Sequence, residues 1–135
     1  MSAILRVSGK SFDVDSFVEG TTLKIIKVFR KGEKRNPKSK PNVNSGINIE
    51  VSSIDFDNYK GQLDESLEYL ESNEEELIRL QNFTGIESIY IDYGAEIYPP
   101  GWCSFYFPHA LLLKAGELRI DLGLSVYPTD NEDSQ

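Results

Sequence analysis

Cys103, His109 and Asp121 are the residues of this sequence that could support nucleophilic chemistry. A thiolate would attack, an imidazole would take up the proton, and a carboxylate would orient the imidazole. No nucleophile signature surrounds Cys103, however, and its alternation with Phe105 and Phe107 predicts a thiol that faces the core as a small apolar group. His109 falls at a predicted helix start and should face solvent. We therefore expect no catalytic residues and no enzymatic activity.

The side chains available give little support to a metal or cofactor site. With one His and one Cys, a single chain cannot build a multi-histidine zinc site or an internal disulfide. Glu74, Glu75 and Glu76 point in different directions around a helix and lack the alternating oxygen ligands and central glycine of a calcium loop. We expect no metal and no cofactor.

The segment Tyr98-Pro-Pro-Gly-Trp102 could present two aromatic rings to a partner. Pro-Pro-Gly stiffens and turns a loop, so Tyr98 and Trp102 would be held ready for binding at small entropic cost. The alternative is that both rings fold back over the edge of a sheet, as most aromatic side chains serve the core.

Charge is divided unevenly along the chain. In total 14 Lys+Arg stand against 22 Asp+Glu, a formal net charge of -8. Residues 1–45 hold ten cations and four acids, a net +6, whereas residues 46–135 hold four and eighteen, a net -14. The acids concentrate on a predicted helix, where they could form a docking surface for a basic partner. The residues expected there are Asp64, Glu65, Glu68, Glu71 and Glu75.

Length and composition limit the class of protein. A chain of 135 residues fits one domain. The excess of acids disfavours binding to nucleic acid or to an anionic membrane. The start of the chain lacks a basic region followed by an apolar run, and the longest apolar run, Ala110 to Leu113, is far below the ~20 residues that span a bilayer. We expect a cytoplasmic protein without a membrane segment.

Alternation with a period of two residues dominates the chain and predicts a sheet. The clearest case is the last strand, residues 117–127, where Leu118, Ile120 and Leu122 share one face. Further strands are expected at residues 3–8, 23–30, 47–51, 89–93 and 103–107. One-sided alternation favours an antiparallel or mixed sheet with one covered face.

The cover is predicted to be helical. Apolar residues recur with helical spacing over residues 59–80, and Asn73 and Glu76 match a capping box, which predicts a break or kink there. A shorter helix is expected over residues 108–116, and a further short helix or turn over residues 12–18.

These elements predict one α+β domain over residues 1–127. Its mostly antiparallel sheet would have about six strands, with one face covered by the long kinked helix and a shorter C-terminal helix. A ferredoxin-like core with an added strand-helix-strand unit fits this order. The polar stretch 30–45 indicates a long hairpin or a partly disordered loop, and residues 128–135 a flexible acidic tail.

Three blocks of the sequence resemble an uncharacterised bacterial family of short domains of unknown function. The blocks are Leu5-Arg-Val-Ser-Gly9 with Phe12-Asp-Val-Asp15, Val28-Phe-Arg-Lys-Gly-Glu33, and the stretch from Phe105 to Tyr127. The resemblance brings no catalytic residues. It implies a genomic context, since similar small acidic proteins are often encoded beside secreted toxins as immunity proteins.

Two functions follow as hypotheses. The first is an immunity protein that binds a cognate secreted toxin, such as a basic nuclease domain, and blocks its active surface. The alternative is a non-catalytic regulatory or scaffolding module that binds a peptide or small ligand through Tyr98 and Trp102. Direct nucleic-acid binding by the basic loop Arg30–Lys40 is disfavoured, because only Phe29 is near enough in sequence for stacking on a base.

Overall fold

A computed structural model of the chain describes residues 3–98, 101 and 103–129. These residues form a layer of helices packed on a layer of sheet, which confirms the predicted α+β class. The elements are β1 (Ala3–Gly9), α1 (Val14–Gly20), β2 (Ile25–Phe29), β3 (Ser45–Ser52), α2 (Tyr59–Ser72), α3 (Glu74–Gln81), β4 (Ser88–Ile97), α4 (His109–Glu117) and β5 (Asp121–Pro128).

The sheet has five strands in the order β2-β3-β1-β4-β5. β3 pairs antiparallel with both β2 and β1, and β1 pairs antiparallel with β4. β5 runs parallel to β4, with Asp121 opposite Tyr90. A parallel pair needs a crossover connection, and the segment that carries α4 supplies it.

The prediction of six strands is wrong, because residues 103–107 form no strand. Phe105 and Phe107 instead pack on Tyr59, with ring centroids 5.1 and 6.1 Å apart, and Cys103 is exposed rather than buried. Alternating side chains occur in any extended segment, paired or not, so the pattern could not distinguish the two. The five-stranded mixed sheet as a whole is not ferredoxin-like either, because β5 extends it parallel to β4 and two helices, α2 and α3, connect β3 to β4.

The two faces of the sheet differ in chemistry because successive side chains of a strand point to opposite sides. On one face Leu5, Ile49 and Ile91 are fully buried and join side chains of all four described helices in one core. The other face carries the alternate residues, among them Arg6 and Asn48, which remain partly accessible to solvent. We call this second side the polar sheet face.

The predicted long helix breaks at Asn73 into α2 and α3, as the sequence indicates. The cause differs from the predicted capping box. The Asn73 amide donates to the Tyr69 carbonyl oxygen at 2.9 Å and makes no cap to α3. Glu76 accepts from Thr21 Oγ1 at 2.8 Å and from Arg79 Nε at 2.9 Å, and so joins α3 to the end of α1.

Two buried polar side chains fix α2 on the sheet. Gln62 Nε2 donates to the carbonyl oxygens of Gly94 at 2.8 Å and Asp55 at 3.3 Å, and its Oε1 accepts from Gly94 N at 3.3 Å. Tyr93 pairs with Ala3, the first described residue of β1, and Gln62 bonds the backbone of the next residue of β4. Ser66 Oγ and the Tyr93 hydroxyl form a 2.6 Å hydrogen bond, and burial raises the pKa of Tyr93 to about 12.

The turn between α4 and β5 shortens the last strand relative to its prediction. α4 continues past Gly116, and Ile120 N donates to Ala115 O at 2.8 Å across the turn. Arg119 adopts the left-handed conformation there, with φ of 56°, which glycine usually occupies after a helix. Buried Leu118 and Ile120 therefore belong to this turn rather than to a strand.

The chain beyond β5 includes the segment expected to be a flexible acidic tail, residues 128–135. Pro128 is the last residue of β5, and Thr129 N donates to Ile97 O at 2.8 Å. Residues 130–135 lie outside the described ones.

Residues 30–44, between β2 and β3, form the hairpin rather than the disordered alternative. Gly32 N donates to Asn42 O at 2.8 Å, and Lys34 and Pro41 form an isolated antiparallel bridge. We call these residues the hairpin arm. Its backbone hydrogen bonds hold its cationic side chains at the edge of the polar sheet face.

Candidate binding surfaces

A cleft of about 740 Å³ lies between the polar sheet face and the hairpin arm. Its size falls within the range of small-molecule sites, ~300–1,000 Å³. Six side chains of four neighbouring strands line it: Arg6, Ser8, Lys27, Phe29, Asn48 and Tyr90. Six more come from the arm: Glu33, Lys34, Arg35, Ser39, Lys40 and Asn42. We call it the hairpin cleft.

The hairpin cleft is strongly basic. Its lining includes five cationic side chains: Arg6, Lys27, Lys34, Arg35 and Lys40. Glu33 is the one acidic residue of the lining, and its carboxylate lies 3.8 Å from Arg30 Nη1. Cations arranged around a concave surface reinforce one another and concentrate anions there.

Arg6 is the best-fixed cation of the hairpin cleft. Its Nε donates to Asp92 Oδ2 at 3.2 Å, and Ser125 Oγ donates to Asp92 Oδ1 at 2.6 Å. The Asn48 side chain, with its oxygen turned toward Arg6, accepts from Nη1 at 3.2 Å. The Arg6 side chain is nonetheless 37% exposed. A guanidinium held in one position and still open to solvent is preorganised to bind an anion.

Four predicted docking residues, Asp64, Glu68, Glu71 and Glu75, are exposed on α2 and α3. We call them the acidic face. Asp64 pairs with Lys60 at 2.8 Å. Glu68, Glu71 and Glu75 form no ion pair with any cation in the part of the chain that the structure describes. Their charge is therefore directed to solvent.

Glu65, the fifth acidic residue of the predicted set, is separated from the acidic face. It is half-buried and accepts from Ser53 N at 3.2 Å, which links α2 to the loop after β3. The neighbouring Glu74 is likewise occupied, since Lys114 Nζ lies 3.0 Å from its carboxylate and joins α3 to α4. These two carboxylates stabilise the helical layer.

Tyr98 is exposed at the end of β4, and its hydroxyl donates to Glu96 Oε2 at 2.7 Å. This hydrogen bond to a carboxylate raises the pKa of Tyr98, and the charge of Asp57, just before α2, adds to the effect. Tyr98 is thus near the start of α2, while Glu71 lies at the far end of that helix, ~20 Å along it, and Glu75 lies in the first turn of α3. Trp102 lies outside the described residues.

The residues considered for catalysis are not assembled into a site. Cys103, His109 and Asp121 are all exposed, and no hydrogen bond joins any two of them. Among the described residues, no three His, Cys, Asp or Glu side chains are placed to hold a metal ion. None of the described helices has the length and apolar character that crossing a membrane requires.

The sequence shows an excess of cations in residues 1–45, but not the cleft that five of them line. Arg6, Asn48 and Tyr90 are far apart in sequence and meet only because β1 pairs with β3 and β4 in one register, with Arg6 opposite both others. In the sequence, each of the three is a polar or amphipathic residue of an alternating strand. This pattern indicates the face of the strand on which the residue lies, but not which strand lies beside it.

The structure defines a two-layer α+β domain with acidic helices on one side of the sheet and a basic cleft on the other. Residues 1–129 match the family model of DUF4279, a domain of unknown function. The chain belongs to this family, which agrees with the predicted resemblance to a domain of unknown function. No curated protein and no solved structure matches the chain.

Proposed function

We propose that this protein is an immunity protein, which binds a cognate secreted toxin and blocks its active surface. The observation that supports the proposal is the acidic face. Its residues Glu68, Glu71 and Glu75 are exposed and have no cation partner among the described residues. Such a surface is complementary to a protein rich in Lys and Arg.

The acidic face has an energetic cost to the free protein. Asp64 and Glu68 are four residues apart on α2, and Glu68 and Glu71 are three apart, so their carboxylates repel. Each such pair destabilises a helix by about 0.2–0.5 kcal/mol. A basic partner would relieve this repulsion, and charge complementarity would also accelerate the encounter.

A nuclease domain is a partner of the required chemistry. Proteins that bind phosphate backbones expose Lys and Arg on the surface that receives the nucleic acid. An acidic face docked there would exclude the substrate. A toxin that degrades nucleic acid acts inside the cell, so we place this protein in the cytoplasm.

The alternative, recognition of a peptide or small ligand through Tyr98 and Trp102, has weaker support. The Tyr98 hydroxyl is already engaged by Glu96. The acidic face therefore remains the better-supported docking surface.

The test is co-expression with the basic toxin domain that the proposal expects to be encoded beside the gene, followed by binding measurements on the purified pair. The variant Glu68→Gln, Glu71→Gln, Glu75→Gln should lose protection and associate more slowly, because three unpaired carboxylates are neutralised. A matched control neutralises three other exposed acids, Glu19→Gln, Asp57→Asn and Asp121→Asn, and should retain protection. Failure of the wild-type protein to bind or protect, or equal loss in both variants, would refute the proposal.

A further inference from the structure

We infer that the hairpin cleft is a binding site for a nucleoside phosphate, separate from the acidic face on the helices. The inference rests on three properties of the cleft: its cations, its two aromatic side chains and its limited size. Each points to a different part of the ligand.

The cations of the cleft suit the phosphate groups. Arg6, held by Asp92, offers a guanidinium whose planar donors match phosphate oxygens. Lys34, Arg35 and Lys40 lie on the hairpin arm across from it and are exposed. A chain of two or three phosphates could contact the sheet and the arm at once.

Either of two aromatic side chains suits the base, since they lie three strand spacings apart, on β2 and β4. Phe29 lies against the polar sheet face over Gly46, where a Cβ would come within 2.3 Å of the ring Cζ. Glycine at position 46 is therefore required for the ring to lie on the sheet. Tyr90 lies beside Gly123, where an added Cβ would make only an ordinary van der Waals contact, 3.6 Å from the ring Cδ2. Both rings are half-buried and line the cleft, and aromatic faces stack on any base.

Polar side chains beside the rings can bind the sugar and the base edge. Asn42 and Asn48 carry carboxamides that both donate and accept, and Ser8 and Ser39 carry hydroxyls. Inorganic phosphate can accept hydrogen bonds from these amides and hydroxyls, but it has no base to stack on either ring. The combination of cations, rings and amides is what distinguishes a nucleotide from a simple anion.

The distribution of charge favours a small ligand over a nucleic acid strand. Residues 46–135 carry a net charge of -14, so a long polyanion that left the cleft would meet a repulsive field. Screening reduces such interactions beyond ~8 Å at physiological ionic strength. A mononucleotide in a cleft of about 740 Å³ stays near the five cations and away from most of the acids.

The experiment is calorimetric titration of the full-length protein with four probes: ATP, inorganic triphosphate, adenosine and a short single-stranded oligoribonucleotide. ATP should bind more tightly than either triphosphate or adenosine, because only ATP engages both the cations and the rings. Tighter binding of the oligoribonucleotide than of ATP would assign the cleft to nucleic acid and overturn the inference. So would equal affinity for ATP and triphosphate, or no binding of ATP at about 1 mM.

Variants on the hairpin arm test whether the cleft is the site. Lys34→Gln with Arg35→Gln should weaken ATP binding by about tenfold or more, since two charge-assisted contacts are lost. Lys31→Gln with Lys38→Gln is the matched control, because both lysines lie on the arm but do not line the cleft. The same loss in both pairs would show non-specific attraction and refute the assignment.

A third variant tests the base contact. Phe29→Leu should weaken ATP binding several-fold and leave triphosphate binding unchanged, because only the base stacks on the ring. Thermal unfolding of each variant verifies that it is folded. Unchanged ATP affinity in a folded Phe29→Leu protein would refute the nucleoside part of the inference.

Discussion

The replacement Gln62→Met tests whether a buried side chain can supply hydrogen bonds to the backbone of β4. Gln62 is fully buried and bonds both the N–H and the carbonyl oxygen of Gly94, together with the Asp55 carbonyl. Methionine fills a similar volume but offers no donor and only a weak acceptor. The buried backbone groups of Gly94 would lose their partner.

The expected loss of stability is large for a single substitution. Each buried polar group left without a hydrogen bond costs about 1–3 kcal/mol, and two such groups of Gly94 are affected, so we expect a loss of about 3 kcal/mol. Unfolding entropy is about 2.1 cal/mol/K per residue, which for 135 residues converts this loss to a decrease of roughly 10 °C in Tm.

The assay is chemical denaturation followed by far-ultraviolet circular dichroism, with calorimetry for Tm. The matched control is Gln81→Met on α3, where the half-buried amide makes no hydrogen bond within the described chain. The control should change the free energy of unfolding by less than about 0.5 kcal/mol. A Gln62→Met protein as stable as the control would show that the hydrogen bonds of Gln62 to Gly94 do not stabilise the fold.

Four further predictions concern single residues. Tyr69→Phe should raise the free energy of unfolding by about 1 kcal/mol in denaturant titration, because its buried hydroxyl has no hydrogen-bond partner among the described residues; a loss of stability would contradict this. Arg119→Gly should add about 0.5–1 kcal/mol in the same assay, because glycine adopts φ of 56° without strain, and a destabilised variant would refute the argument. The free energy of unfolding should fall between about pH 10 and pH 12, because the pKa of Tyr93 is near 10 in the unfolded chain but about 12 in the folded protein. Denaturant titrations at both ends of this pH range measure the change. A free energy of unfolding that does not vary with pH there would contradict the burial of Tyr93. Cys103 should react stoichiometrically with a thiol reagent in the native protein, as mass spectrometry can show, since the thiol is exposed; protection until unfolding would contradict its placement.

The sequence predicts well those strands and helices whose apolar side chains all face the same neighbouring layer. β1, β3 and β4 alternate because one side faces the helices, and the break near Asn73 shows as an interruption of the apolar spacing. A strand is predicted wrongly where the same alternation of apolar residues has another structural cause. Residues 103–107 alternate as an unpaired segment, and Leu118 and Ile120 are buried by a turn.

The acidic face and the hairpin cleft also differ in how far the sequence predicts them. The acidic face comes from consecutive turns of helix, so its spacing could be read directly, except that Glu65 is drawn inward by Ser53. The hairpin cleft depends on the register of three strands and on an arm that reaches back over them. To predict such a site one must know the order of the strands in the sheet, and alternation within one strand does not indicate that order.

The proposed immunity function is tested most directly by the rate of association with the basic toxin domain that the proposal expects to be encoded beside the gene, measured by stopped flow at low and high salt. The wild-type rate constant should fall steeply with ionic strength, because Glu68, Glu71 and Glu75 steer the encounter. The variant with all three changed to Gln should associate slowly at both salt concentrations. A wild-type rate that is independent of salt, or equal to that of the variant, would contradict docking through the acidic face.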